Sequence, residues 1–282
     1  MLELLNRLSH GIVAIPVLHA FRACGFAGRV AAVDGISLAS LCVSPTVNSG
    51  HLHAALRLLT SLEVVERVGE TVRQGRRFSW FERLPPDIGK FMALVSRWKA
   101  PADDPTYRDW GLRSRSNWNE AEPLLADLLD SLLVVPALLA LHHASLLTPP
   151  QPERWPTILP ASLDVEFWGW LCRHDLAESN GNKRLLRPAG TALCERAMTL
   201  GITMSYWPLL MRLDELFVGD ASAVFDCDQD GNETYLDRQL NVISSGFQHD
   251  RYFADAEDMI CAVFDALPLD RQPTYVADMG CG

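Results

Sequence analysis

The chain alternates apolar runs of helical period with short strand-like pairs. From Ile12 to Phe21 the residues are nearly all apolar, and Gly25 and Gly28 follow, which predicts a buried helix ended by glycine. Ile36–Leu41 reads as a second short helix. Between His51 and Leu62, the residues Leu52, Ala55, Leu56, Leu59 and Leu62 recur every three or four positions and mark one helical face. Val64–Val68 then alternates as a strand, Gly69-Glu70 turns it, and Thr71–Phe81 is expected to return with Phe78 and Trp80. Helix, strand, turn, strand is the order of a winged helix.

The pattern occurs a second time. Ile12–Leu18 has its counterpart in Leu132–Leu138, each with a proline after four aliphatic or small residues, and Leu56–Gly69 corresponds to Trp168–Gly181, with Arg184–Pro188 as the returning strand. Proline-rich stretches at Ala100–Pro105 and Thr148–Pro152 break helices between the copies. Thr191–Leu216 reads as one long helix that Gly201 and Pro208 should bend, ending by Gly219. Beyond Tyr252, the residues Phe253, Met259, Ile260, Val263, Phe264 and Leu267 form an amphipathic helix closed by Pro268 and Pro273, before a short buried strand at Tyr275-Val276-Ala277. The expected units are a first winged-helix-like subdomain at 1–99, a linker at 100–128, a second winged-helix-like subdomain with the long helix at 129–220, and a hairpin, helix and first strand at 221–282. The fold class is mainly α.

At 282 residues the chain suits two compact units with the start of a third. The 25 Lys+Arg against 35 Asp+Glu give a net charge of −10, opposite to a nucleic-acid-binding footprint. Seven scattered cysteines without a CxxC pair suggest neither a disulfide framework nor a structural zinc site, and a reducing cytoplasm fits best. The apolar stretch Gly11–Phe21 is too short to span a bilayer and lacks a basic leader and cleavage site, so no membrane association is expected.

The strand at Tyr275-Val276-Ala277 runs directly into Asp278-Met279-Gly280-Cys281-Gly282. Glycine permits positive φ and close approach to a ligand, and an acidic strand tip supports such a turn, though many α/β folds share five residues of this kind. Upstream lies the run DRQLNVISSGFQHDRYF. Together with QPTYVADMGCG, it resembles the C-methyltransferase and adaptor regions of type I polyketide synthases, especially loading modules with a GNAT-like decarboxylase. The resemblance is specific over Asp237–Gly282 and looser over the helical region before it, which would be the family's lid.

It implies a helical lid joined to the first helix and strand of a Rossmann-like S-adenosylmethionine core that stops early, so the piece alone is expected to be catalytically incomplete. The implied reaction is C-methylation of a malonyl or β-ketoacyl group held on acyl carrier protein by its phosphopantetheine arm, among other polyketide synthase domains. The implied cofactor is S-adenosylmethionine, and any metal ion would be bound by residues beyond Gly282. By position, Asp278, Gly280 and Gly282 occupy the cofactor turn, and Ser245, Gly246, Tyr252 and Phe253 line the approach to it. His249 either positions an acidic acyl group or caps the turn before the Tyr252 helix. Tyr206 and Trp207, on the long helix expected over the core, are candidates to meet substrate, whereas no catalytic residue is assigned.

Other motifs compete. Asp226-Cys227-Asp228-Gln229-Asp230-Gly231, with Asp237 in twelfth place, nearly spells a calcium loop, but it ends in Asp and carries Glu233 where an apolar residue belongs, so Asp230-Gly231-Asn232 reads better as a hairpin turn. A winged helix suggests DNA, yet the recognition helices offer only Arg57 and Arg173, and Arg73, Arg76 and Arg77 lie in a wing. His142-His143 fits the C-terminus of a helix better than a metal site. Three classes therefore stand: a methyltransferase part, a non-catalytic adaptor of the same synthases, and a winged-helix regulator. An exposed apolar face is expected around Met259, Ile260, Val263 and Phe264.

Overall fold

A computed structural model describes residues 2–113, 122–181, 183–275 and 277. At its centre two long helices, α1 (Leu2–Ala23) and α8 (Pro123–His143), pack along each other and bury most of their side chains. Pro123 opens α8 at its first turn, where a missing N–H costs nothing. Pro16 and Pro136 lie inside the two helices at matching points of the repeat, and each removes one helical hydrogen bond. Fully buried neighbours such as Ile15, Leu18, Val135 and Leu138 offset that loss at about 1.5–3 kcal/mol per side chain. Both helices are long and apolar enough to cross a membrane, correcting the shorter segment read from Gly11–Phe21. Their burial against each other and the surrounding elements makes them the core pair of this fold.

The helices approach closely at Gly11. A Cβ there would lie 2.2 Å from Ser131 Oγ and 2.3 Å from the Leu128 carbonyl oxygen, so only glycine permits the approach. At the far end of α1, the Arg22 guanidinium donates to the carbonyls of Phe81 (3.0 Å) and Leu84 (2.8 Å), fixing the first winged unit to the core.

That first unit comprises α2 (Phe26–Ala31), β1 (Ile36–Ser37), α3 (Leu38–Leu41), α4 (Ser49–Ser61), β2 (Val65–Val68), β3 (Thr71–Gln74), α5 (Trp80–Arg83) and α6 (Ile88–Val95). Its antiparallel sheet has the order β1-β3-β2, with Val65 opposite Gln74 and Val68 opposite Thr71. Two expectations change here. Ile36-Ser37 is a strand paired to Val72-Thr71, so the short helix begins only at Leu38, where Ser37 caps it by accepting from the Ser40 N–H (3.0 Å). The returning strand stops at Gln74, because Gly75 folds back to donate its N–H to the Val64 carbonyl (3.1 Å), and Phe78 and Trp80 enter a turn and α5.

The second unit consists of α9 (Ala161–Arg173), β4 (Ala177–Asn180) and β5 (Lys183–Leu186), with Ala177 opposite Leu186. It repeats the first in backbone detail. Glu63 and Asp175 both end their helices in the left-handed region at φ 59°, and the next N–H donates back to Leu59 or Leu171 (2.9 Å each). The Arg187 N–H then donates to the Leu176 carbonyl (2.9 Å), just as Gly75 does to Val64. The segment 100–128, expected as a linker, contains α7 (Thr106–Arg113), whose Trp110 stacks on Phe91 at 4.0 Å, as well as the start of α8.

The long helix expected over Thr191–Leu216 is instead a chain of short ones: α10 (Pro188–Glu195), a 3-10 turn at Ala197–Leu200, α11 (Gly201–Ser205), α12 (Trp207–Leu210) and α13 (Leu213–Phe217). Pro208 lacks the N–H that would bond to Met204 and its ring crowds that carbonyl, so Tyr206 leaves the helix and α12 starts anew. A 3-10 turn at Ala221–Phe225 and the hairpin turn around Gly231 (φ 82°) follow. At that turn the Asp228 carboxylate accepts from the N–H groups of Asp230 (2.9 Å) and Asn232 (2.8 Å), as the turn reading requires. The last helix, α14 (Arg238–Asp265), runs 28 residues.

Candidate functional site

Asp237 starts α14 by accepting from the Leu240 N–H (3.1 Å) through one carboxylate oxygen. Its other oxygen meets Lys99 Nζ at 2.7 Å. Three further hydrogen bonds seat the first turns of the helix on α11 and the turn before it. The Asp237 N–H donates to the Ser205 carbonyl (2.8 Å), Asn241 Nδ2 to Ser205 Oγ (3.0 Å), and Gln248 Nε2 to the Thr199 carbonyl (3.0 Å). Gly201 allows this seating, because a Cβ there would stand 2.0 Å from Ser244 Oγ.

Beyond Gln248, α14 projects outward, and Leu240 and Ser244 are the buried residues along it. The exposed apolar face expected at Met259, Ile260 and Val263 is present, with Phe264 half-buried. The helix also begins much earlier than the sequence pattern places it, so Ser245, Gly246, His249, Tyr252 and Phe253 are turns of one helix rather than a loop leading into it. His249 accordingly caps nothing.

Helical spacing gathers most of these residues on one face. Ser245 Oγ lies 3.3 Å from His249 Nδ1, and the His249 ring centre is 6.1 Å from Tyr252 and 6.2 Å from Phe253. Tyr252 is 69% and Phe253 59% exposed, so this patch is a surface and encloses no pocket among the described residues. Tyr275 is 78% exposed and in no strand, contrary to the buried strand expected there. Asp278, Gly280 and Gly282 lie outside the described residues.

Two neighbouring crevices, both open to solvent, lie at the foot of α14. One cavity of about 250 Å³ is bordered by Trp98, Lys99, His142, His143, Met198 and Leu240. Another, of about 480 Å³, shares Trp98 and Lys99 and continues past Arg97, Trp207 and Met211 to Asp237. The Lys99–Asp237 pair stands where they meet. Trp98 is held between Lys99, whose ammonium lies 5.4 Å from the ring centre, and His143, edge-on at 6.2 Å. Burial and the neighbouring His143 push the His142 pKa down, favouring its neutral form.

Trp207, chosen from sequence as a substrate contact, is in this wall, buried, with its indole N–H donating to Ser96 Oγ (3.0 Å). Tyr206 points elsewhere and is half-exposed. Sequence reading missed Trp98 and Lys99, and met Asp237 only as the last position of the calcium-like loop. The signal available was the run Arg97-Trp98-Lys99, an aromatic between two cations just ahead of the proline-rich stretch.

Most arginines in and around the wings are ion-paired. Arg77 lies 3.0 Å from Glu63, which also pairs with Arg76, while Arg184 grips Asp164 through two bonds of 2.6 and 2.5 Å. Arg187 meets Glu178 (3.1 Å) and Asp175. Among the described residues no group of three or more His, Cys, Asp or Glu side chains is placed to hold a metal ion.

Comparison with known families places names on these parts. Residues 1–67 match the AprA N-terminal domain, 130–220 the AprA winged helix domain, and 233–282 the AprA MT2-like domain. No curated protein matches the chain. The paired cavities thus lie at a seam: His142, Met198 and Trp207 come from the winged-helix match, and Asp237 and Leu240 from the methyltransferase match. In chain order the three matches correspond to an N-terminal lid followed by the start of a methyltransferase core, and over these segments the chain is similar to AprA-like methyltransferase-related domains.

Proposed function

We propose that this chain is the lid and leading helix of an S-adenosylmethionine-dependent C-methyltransferase that acts on a malonyl or β-ketoacyl group carried by acyl carrier protein in polyketide biosynthesis. The observation that carries the reading is the paired cavity at the junction of the winged-helix and methyltransferase matches, where a lid meets the substrate of the core it covers. When bound, S-adenosylmethionine supplies an electrophilic methyl group. In this reading Asp278, Gly280 and Gly282 form the turn that takes the cofactor, and Ser245, Gly246, Tyr252 and Phe253 on α14 face the core. His249 and Trp207 approach the acyl chain from the helix surface and the cavity wall. Tyr206, exposed just before α12, lines neither crevice.

The pairing of wing arginines with Glu63, Asp164 and Glu178, in a chain of net charge −10, favours a lid over a nucleic-acid reader. The decisive experiment is mass spectrometry of malonyl-loaded carrier protein after incubation with the natural polypeptide that bears this chain and S-adenosylmethionine. A mass gain of one methyl group in place of hydrogen supports the reading. An unmodified carrier in the presence of bound cofactor points to a non-catalytic adaptor.

A further inference from the structure

We propose that the crevice around Lys99 binds an organic oxyanion, a carboxylate or a phosphate monoester at the end of a short unbranched chain. This goes beyond the methyltransferase reading, and it stands or falls without the cofactor, because every residue it uses belongs to the lid or the foot of α14.

Charge is the first observation. The chain carries a net charge of −10, yet the two cavities are bordered by the fixed cations Arg97 and Lys99 against the single carboxylate of Asp237. A cationic pocket in an acidic protein concentrates anions at that spot. Geometry is the second. Lys99 borders both chambers, its side chain is 46% exposed, and Asp237 Oδ2 takes one direction of an ammonium that has three N–H donors. An incoming oxyanion can therefore share or replace Asp237 on Lys99.

Shape is the third. The chambers, of about 250 and 480 Å³, are walled by Trp98, Met198, Met204 and Met211, and thioether side chains repack around a slender chain at little cost. Asp237 has a second task that separates ligand binding from folding: its Oδ1 caps α14. Asparagine caps a helix about as well as aspartate, so Asp237→Asn keeps the cap and removes the anion's competitor.

The test uses the full chain and isothermal titration calorimetry with n-hexyl phosphate, hexanoate, inorganic phosphate and neutral hexanol as probes. The expected order puts one of the two chain-bearing anions first, and which of them leads separates a phosphate-ester source from a carboxylate source. Hydrogen bonds to charged groups set the scale, so Lys99→Met should weaken that probe roughly tenfold or more, while Lys99→Arg retains it. Asp237→Asn should tighten it roughly threefold or more. A purely structural ion pair makes the opposite forecast for Asp237→Asn, namely looser packing of α14, read by circular dichroism and limited proteolysis, and weaker binding. The proposal is overturned if hexanol binds as well as the anions, if no probe binds, if Lys99→Met leaves affinity unchanged in a folded protein, or if Asp237→Asn weakens binding. Titration of S-adenosylmethionine is independent of all these outcomes.

Discussion

Replacing Gly11 with alanine tests the central helix pair. In an isolated helix the change would stabilise by about 1 kcal/mol, because alanine loses less backbone entropy. Here the new methyl would sit 2.2 Å from Ser131 Oγ and 2.3 Å from the Leu128 carbonyl oxygen, where ordinary contact needs about 3.4 Å or more. The carbonyl belongs to the backbone of α8, so a rotamer change cannot relieve the clash, and the helices must separate by roughly an ångström along a contact that also packs Ile12, Ile15 and Leu132. Overpacking of this kind costs about 1–3 kcal/mol, and a backbone obstacle places it at the upper end. After the propensity gain, a net loss of about 1–2 kcal/mol is expected. Urea unfolding followed by tryptophan fluorescence measures it as a lower midpoint at unchanged slope. A second substitution, Ser131→Gly, removes the hydroxyl but not the carbonyl and should restore only part of the loss. A Gly11→Ala protein as stable as the parent would refute the close approach of α1 and α8.

Two further outcomes follow from the same coordinates. Arg184→Ala leaves the carboxylate of Asp164, 6% exposed, without its bidentate partner. The expected loss is about 2–4 kcal/mol in the same unfolding assay, somewhat below the usual ~3–5 for breaking a buried pair because Arg184 is partly solvated. His19 and His142 both have pKa values lowered by burial from 6.5. The unfolded chain therefore binds more protons below about pH 6.5, and the stability these neutral rings supply is present above that value and lost as pH falls toward their folded pKa values. The melting temperature should drop between about pH 7.5 and pH 5.5, and the paired change His19→Gln with His142→Gln should make the profile shallower, with buried His174, whose pKa is lowered likewise, supplying the remainder. An equal slope in that variant would assign the pH dependence to other groups.

Periodicity reads well wherever a helix has one buried face. The face of α4, the proline repeat of the two core helices and the second hairpin were legible because core packing and turn chemistry impose them directly. The amphipathic end of α14 was legible from the same spacing, although its apolar face is exposed, but its first half was not: Gly246 and the polar residues around it lower helix propensity, and Asp237 capping with lid contacts overrides them. Pro208 was seen as a bend and locally accounts for the break at Tyr206, but the further division into short helices follows the way the chain wraps α1, which no local pattern encodes. The ends of strands were misplaced at Gln74 because the Gly75 bond to Val64 is a tertiary feature. The site shows the same division. His249, Tyr252 and Phe253 were found together, since i, i+3 and i+4 spacing keeps them together on any helix. Lys99 and Asp237 are far apart in sequence, and neither their pairing nor the cavities beside it can be read from either residue's neighbours.

The most direct test of the methyltransferase assignment is calorimetric titration of S-adenosylmethionine into the natural polypeptide bearing this chain, compared with the same protein carrying Gly280→Val. A glycine turn that admits the cofactor requires close backbone approach, so the parent should bind and the variant should lose most of its affinity. Binding that is absent from the parent, or unchanged by valine at position 280, would contradict the account.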